Sequence, residues 1–94
     1  MSDRPVSFVV EALYAPDARE RRGLLRREHL DRLEKLAVEG SLVVAGAFED
    51  LSASLLVFDL QSEESVRMVI ETDVYWRNKI WTDYTVRRFN RVFF

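Results

Sequence analysis

Four residues of this 94-residue chain have the types and positions that proton-transfer chemistry needs: Arg26, His29, Asp73 and Tyr75. His29 is the only histidine, and imidazole is the side chain whose ordinary pKa lies near neutrality. It can serve as a general acid or base if a pocket opens beside it. Asp73 supplies a carboxylate that could orient the imidazole by a hydrogen bond and stabilise its charged form. Arg26 offers a forked donor for an oxyanion or carboxylate, and Tyr75 a hydroxyl for binding a ligand or acting as a weak acid. The same residues also admit a reading without chemistry. In that reading His29 is a core histidine satisfied by a carbonyl, Asp73 caps or turns the chain, Tyr75 packs, and Arg26 covers apolar surface with its stem.

The element that must position the histidine is an amphipathic helix predicted from about Leu24 to Glu39. At about 100° per residue, Leu25, Leu30, Leu33, Leu36 and Ala37 share one arc, while Arg27, Glu28, Asp31, Glu34 and Lys35 fill the opposite one. His29 falls on the apolar side between Leu33 and Leu36, with Arg26 one turn earlier on that side. Two basic groups on a face that should be greasy break the local pattern, which is where function tends to sit. Gly40 suits the left-handed residue that ends a helix.

The remaining elements follow from alternation and turn residues. Ser7–Tyr14 reads as a first strand, with Phe8, Val10, Ala12 and Tyr14 on one face and Val9, Glu11 and Leu13 on the other. The uncharged run Leu42–Phe48 reads as a buried strand in which Gly46 marks a bulge or a close backbone approach. A polar turn, Glu49–Ser52, leads to a strand at Ala53–Leu60, so the two should pair as a hairpin. Ser62 is a good N-cap for a second helix with Glu63 and Glu64 at its positive end and Val66, Val69 and Ile70 as its apolar stripe. That helix should end near Thr72 or Asp73, and Thr82–Phe89 alternates as a last strand. Ala15–Arg22, with acids among its arginines, reads as a solvated linker in which Asp17 could begin a turn or cap a short helical turn, and Met1–Pro5 as a loose tail. Trp76, Trp81 and Tyr84 read as core and dimer contacts, not as a ligand box. Ser52 and Ser54 carry no mark of a nucleophile.

The order β-α-β-β-α-β is that of a single ferredoxin-like α+β domain over residues 1–94. Two helices cover one face of its sheet. The other apolar face predicts a homodimer, two protomers closing a dimeric α+β barrel.

Composition bounds the rest. Fourteen basic and sixteen acidic residues, well mixed, give a net charge of −2 and no general pull towards nucleic acid or membrane. Without cysteine there are no disulfides, no thiol catalysis and no thiolate-bound metal. One histidine with scattered acids makes no transition-metal site, the three glycines are isolated from any phosphate-cradling loop, and nothing calls for a cofactor. No apolar run approaches the ~20 residues of a membrane span, and the start MSDRPVSF has no apolar signal core. A soluble cytoplasmic protein is the expectation.

Several short strings, in order, point to a family: Arg26-x-x-His29-Leu30 with Leu33 following, Glu39-Gly40, Leu42, Ala45-Gly46, Asp73-x-Tyr75, and the ending Arg88-Phe89-Asn90-Arg91-Val92-Phe93. The chain resembles the YCII-like family of the dimeric α+β barrel group. That resemblance implies a ferredoxin-like protomer, a two-protomer barrel and a site built on His29 and Asp73. Two departures stand out. Val74 lies where family members commonly have proline, which would loosen the backbone holding Asp73, and the turn between the second and third strands is short. Related barrels bind haem, which a lone histidine does not support. The expected function is a small-molecule enzyme that uses the His29–Asp73 pair for isomerase- or lyase-like proton transfer on an activated carbonyl or phenolic substrate. The alternative is a non-catalytic dimeric module that binds a small ligand or another protein.

Overall fold

The computed structural model describes residues 6–94, so the tail expected at Met1–Pro5 lies outside the described residues. The elements run β1 (Val6–Tyr14), α1 (Ala18–Arg21), a 3₁₀ turn (Arg22–Leu24), α2 (Arg26–Val38), β2 (Leu42–Ala47), β3 (Ala53–Leu60), α3 (Glu63–Glu71), α4 (Val74–Arg77) and β4 (Trp81–Phe89). The four strands form one antiparallel sheet in the order β2-β3-β1-β4. This is the ferredoxin-like α+β arrangement that the element order predicts. No helix among the described residues is long and apolar enough to cross a membrane.

Alternation decides which face of the sheet is buried. Phe8, Val10 and Ala12 of β1 stand opposite Phe58, Leu56 and Ser54 of β3, and all six are buried on one face. Val66 and Ile70 of α3 and Trp81 join the same core, and Leu25, Leu33 and Leu36 pack against it from the α2 side. Each fully buried Phe or Leu here contributes about 2–3 kcal/mol. Ala37 is exposed, so the apolar arc of α2 is narrower than expected at its C-terminal end. Gly40 closes the helix at φ +88°: its N–H donates to the Ala37 carbonyl, and the Ser41 N–H reaches back to Leu36.

Two expectations are corrected. β2 is not a buried strand: only Leu42 is buried, and Val43 and Val44 are exposed because the strand lies at the sheet edge. The irregularity in its pairing falls between Leu42 and Val44, not at Gly46, where an added Cβ would meet nothing within 4 Å. The sheet face away from the helices carries Val9, Leu55 and Val57 beside the Glu11–Arg87 pair.

Gly40→Ala tests the helix stop alone, since no atom lies where its Cβ would go. A drop of about 1 kcal/mol in urea unfolding is the expected result, from the left-handed backbone only.

Candidate functional site

Asp73 is placed by the end of α3 and the start of α4. Its own N–H donates to the Ile70 carbonyl, and its backbone is extended at φ −72°, ψ 145°. That is the conformation a following proline would impose. Here the Asp73 side chain holds it instead, because Oδ1 accepts the Tyr75 N–H at 2.8 Å and so caps α4. The same Oδ1 lies 2.8 Å from His29 Nδ1, with both side chains buried. Oδ2 accepts from Arg32 at 3.2 Å. Arg32 also donates to the Val69 carbonyl and the Thr72 hydroxyl, which fixes its guanidinium over the end of α3.

The Asp73 carboxyl already accepts from a backbone N–H and from Arg32, and at this contact it accepts a hydrogen bond from Nδ1–H as well. This sets the neutral imidazole tautomer with its lone pair on Nε2. Tyr75 stacks on the imidazole at 3.8 Å between ring centres and 7° between planes, and Trp81 meets it edge-on at 5.2 Å. The ring is therefore held in both position and rotation. No buried side-chain nitrogen or oxygen among the described residues lacks a partner. Nε2, which bonds to none, therefore opens into the cavity that His29 lines.

That cavity, of about 230 Å³, lies between the N-terminal half of α2 and the helix-side face of the sheet. Its volume suits one substituted aromatic ring, since benzene occupies a cavity of about 150 Å³. Ala45, Gly46 and Ala47 form the β2 wall, and their small size leaves the space open. Arg22 and Arg26 stand in the lining, which among the described residues includes no Asp or Glu, so the interior favours an anion. Burial pushes the Tyr75 hydroxyl above the usual phenol range, while Arg22 and Arg26 pull the other way. Tyr75 thus remains a neutral phenol around pH 7. Among the described residues, no three His, Cys, Asp or Glu side chains gather where they could hold a metal ion.

The structure brings all four sequence-predicted residues to this place: His29, Arg26 and Tyr75 in the lining, and Asp73 directly behind the imidazole. Arg32 escaped the sequence reading, although its i,i+3 spacing from His29 set both on one helix face. Tyr14, Ser54 and Trp81 were read as strand or core residues and also line the cavity. The connection at Ala15–Arg22 is largely exposed, and after Asp17 it forms a short helical turn, α1, and the start of the 3₁₀ turn. Arg21 there bonds the Asn78 and Lys79 carbonyls, and Arg22 becomes cavity wall. Of the aromatic trio, Trp81 faces the cavity, whereas Trp76 and Tyr84 pair edge-to-face with each other outside it.

The YCII-related domain family matches residues 6–90. The chain belongs to that family. Among solved structures it is similar to 5-chloro-2-hydroxyhydroquinone dehydrochlorinase (TftG) from Burkholderia phenoliruptrix AC1100, in complex with 2,5-dihydroxybenzoquinone. The two share 20% identity over 92% of this chain and 95% of that one, with a TM-score of 0.80. No curated protein sequence matches. At that identity, the likeness to the dehydrochlorinase speaks for the YCII fold.

Asp73→Ala should cost about 3 kcal/mol in urea unfolding, because His29 Nδ1, the Tyr75 N–H and Arg32 all lose an acceptor together. Arg32→Gln removes one part-exposed partner and should cost about 1 kcal/mol. Equal losses from the two variants would show that Asp73 is not the hub of this network.

Proposed function

We propose that this YCII-family chain is a small-molecule enzyme in which His29 moves a proton on an activated carbonyl or phenolic substrate, in isomerase- or lyase-like chemistry. One observation carries the reading: Nδ1 is held by the buried Asp73 carboxylate at 2.8 Å while Nε2 opens into a cavity of one-ring size. A general base needs this arrangement, with one nitrogen fixed, the other free, and an anion behind it to stabilise the imidazolium once the proton arrives. Arg26 and Tyr75 are the proposed substrate-binding groups, a cation and a neutral donor in the same lining. The dehydrochlorinase activity named for the structural neighbour supports elimination from a phenolic ring as the first reaction to try.

The test is a turnover screen over halogenated and unhalogenated hydroquinones and hydroxyquinones, run on wild type, His29→Ala and Asp73→Asn. An asparagine must turn its NH₂ either to Arg32 or to the imidazole, and in both cases the imidazolium loses its counter-anion. The expected result is a fall of about 10²-fold or more in kcat for Asp73→Asn and no turnover for His29→Ala. Melting curves belong on the same proteins, since removing the stacked imidazole should itself cost about 1–3 kcal/mol. Wild type that binds these compounds across a broad pH range without consuming any would make the chain a binding module.

The proposed assembly is a homodimer through the sheet face that carries Val9, Leu55 and Val57. Val44 and Phe89, also on that side of their strands, are about half exposed, and two such sheets would cover each other. Sedimentation at micromolar concentration should give a species of twice the chain mass; a compact monomer throughout would remove the barrel from the proposal.

A further inference from the structure

The hydrogen bonds on the sheet side of the cavity have a direction. Trp81 Nε1–H can only donate, and it donates to Ser54 Oγ at 3.3 Å. Ser54 is buried, and among the described residues its own proton has one acceptor, Tyr14 Oη at 2.7 Å. Tyr14 Oη therefore accepts a hydrogen bond and keeps its own hydroxyl proton to donate. Tyr14 is part-buried in the cavity lining, and among the described residues its hydroxyl donates to no protein acceptor. Tyr14 also sits where the β1–β4 register slips between Leu13 and Tyr14, an irregularity of the kind that re-aims a side chain. The Arg22 guanidinium lies 5.9 Å from the centre of its ring. Tyr14, Arg22 and Arg26 share the lining with no carboxylate among them.

We propose that Tyr14 is a substrate-contacting hydrogen-bond donor of this site, directed by Trp81 and Ser54 onto the oxyanion of a ring-sized phenolate or enolate. The inference rests on the reading of the cavity as a small-molecule site and adds the group that would receive the substrate's negative oxygen. When His29 takes a proton from a hydroxyl of such a ligand, the charge left on the ligand's oxygen system is met by Tyr14 and the two arginines. The hydrogen bond from Ser54 polarises the Tyr14 hydroxyl and strengthens its donation. Ser54 and Trp81 are positioning residues in this scheme, acting through the Tyr14 hydroxyl.

The experiment is a titration of wild type and Tyr14→Phe with 4-nitrophenolate and, as the uncharged partner, 4-nitroanisole, with melting temperatures taken on both proteins. The expected result is that wild type prefers the phenolate and that Tyr14→Phe loses about tenfold or more of phenolate affinity with anisole binding unchanged. If Tyr14→Phe binds the phenolate as well as wild type does, the Tyr14 assignment is wrong and the site reading stands. Wild type that binds neither compound overturns the site reading, and the inference with it. Should the variant fold poorly, proton NMR of wild type decides. Adding 4-nitrophenolate should bring out a strongly deshielded hydroxyl proton with Overhauser contacts to the Tyr14 ring, and a bound complex without that resonance overturns the proposal.

Discussion

The buried carboxylate of Asp73 is the interaction on which the rest of this molecule depends. Its two oxygens take a backbone N–H from α4, an imidazole N–H from α2 and a guanidinium N–H from Arg32, also on α2. Those bonds, with the Arg32 contacts to Val69 and Thr72, hold α2 against the end of α3 and the start of α4, and an exposed Glu28–Arg77 pair joins α2 to α4 beside them. A charge this deep is tolerable only when every oxygen is bonded and a cation lies close. Arg32 supplies the permanent cation, so the imidazole need not be charged for the fold to stand.

The cavity follows from the same economy of parts. Residues that would otherwise fill the space are small on the β2 side, Ala45 and Ala47 with Gly46 between them, while Tyr75 and Trp81 wall the histidine side. Stacking and edge contacts restrict the imidazole to one orientation, so Nε2 has one direction to face. The charges divide across the imidazole: the carboxylate lies at Nδ1, and the guanidiniums of Arg22 and Arg26, which make no ion pair among the described residues, line the cavity with the ring. The cavity wall is thus cationic, while the carboxylate sits at the other nitrogen of the imidazole.

Much of the fold was legible because alternation and helical periodicity are properties of single segments. Ser62, Gly40 and the Phe8-Val10-Ala12 face all act within a few residues of themselves, and each is where the pattern put it. The exposure of β2 was not legible, since an uncharged run reads alike in a central strand and at an edge whose outer side is open. His29 and Asp73 stood out as the lone histidine on a greasy face and an acid after a helix. Their contact across 44 residues, however, was an expectation of the family resemblance and not of spacing. Arg32, Arg22 and Tyr14 were hidden for a related reason. Each has a sequence neighbourhood that explains it blandly, and only the folded arrangement shows what its polar atoms face.

Capping of α4 and the hydrogen bond to the imidazole, which the sequence sets up as rival accounts of Asp73, are made by one carboxylate oxygen. The Tyr75 N–H and His29 Nδ1 share the same oxygen. The backbone bond that starts α4 therefore also aims the carboxylate at the imidazole, and it sets Tyr75 two residues on, where the ring stacks on that imidazole. This also accounts for Val74 in a position where a proline would pre-set the extended backbone. The side-chain cap holds Asp73 at ψ 145° without it, and Val74 buries its own side chain in the core. The rigidity that a ring would give to one dihedral angle is supplied by a hydrogen bond that has to form for α4 to start at all. Local helix chemistry and the geometry of the site are in this way the same constraint, so a change that loosens the cap loosens the histidine with it.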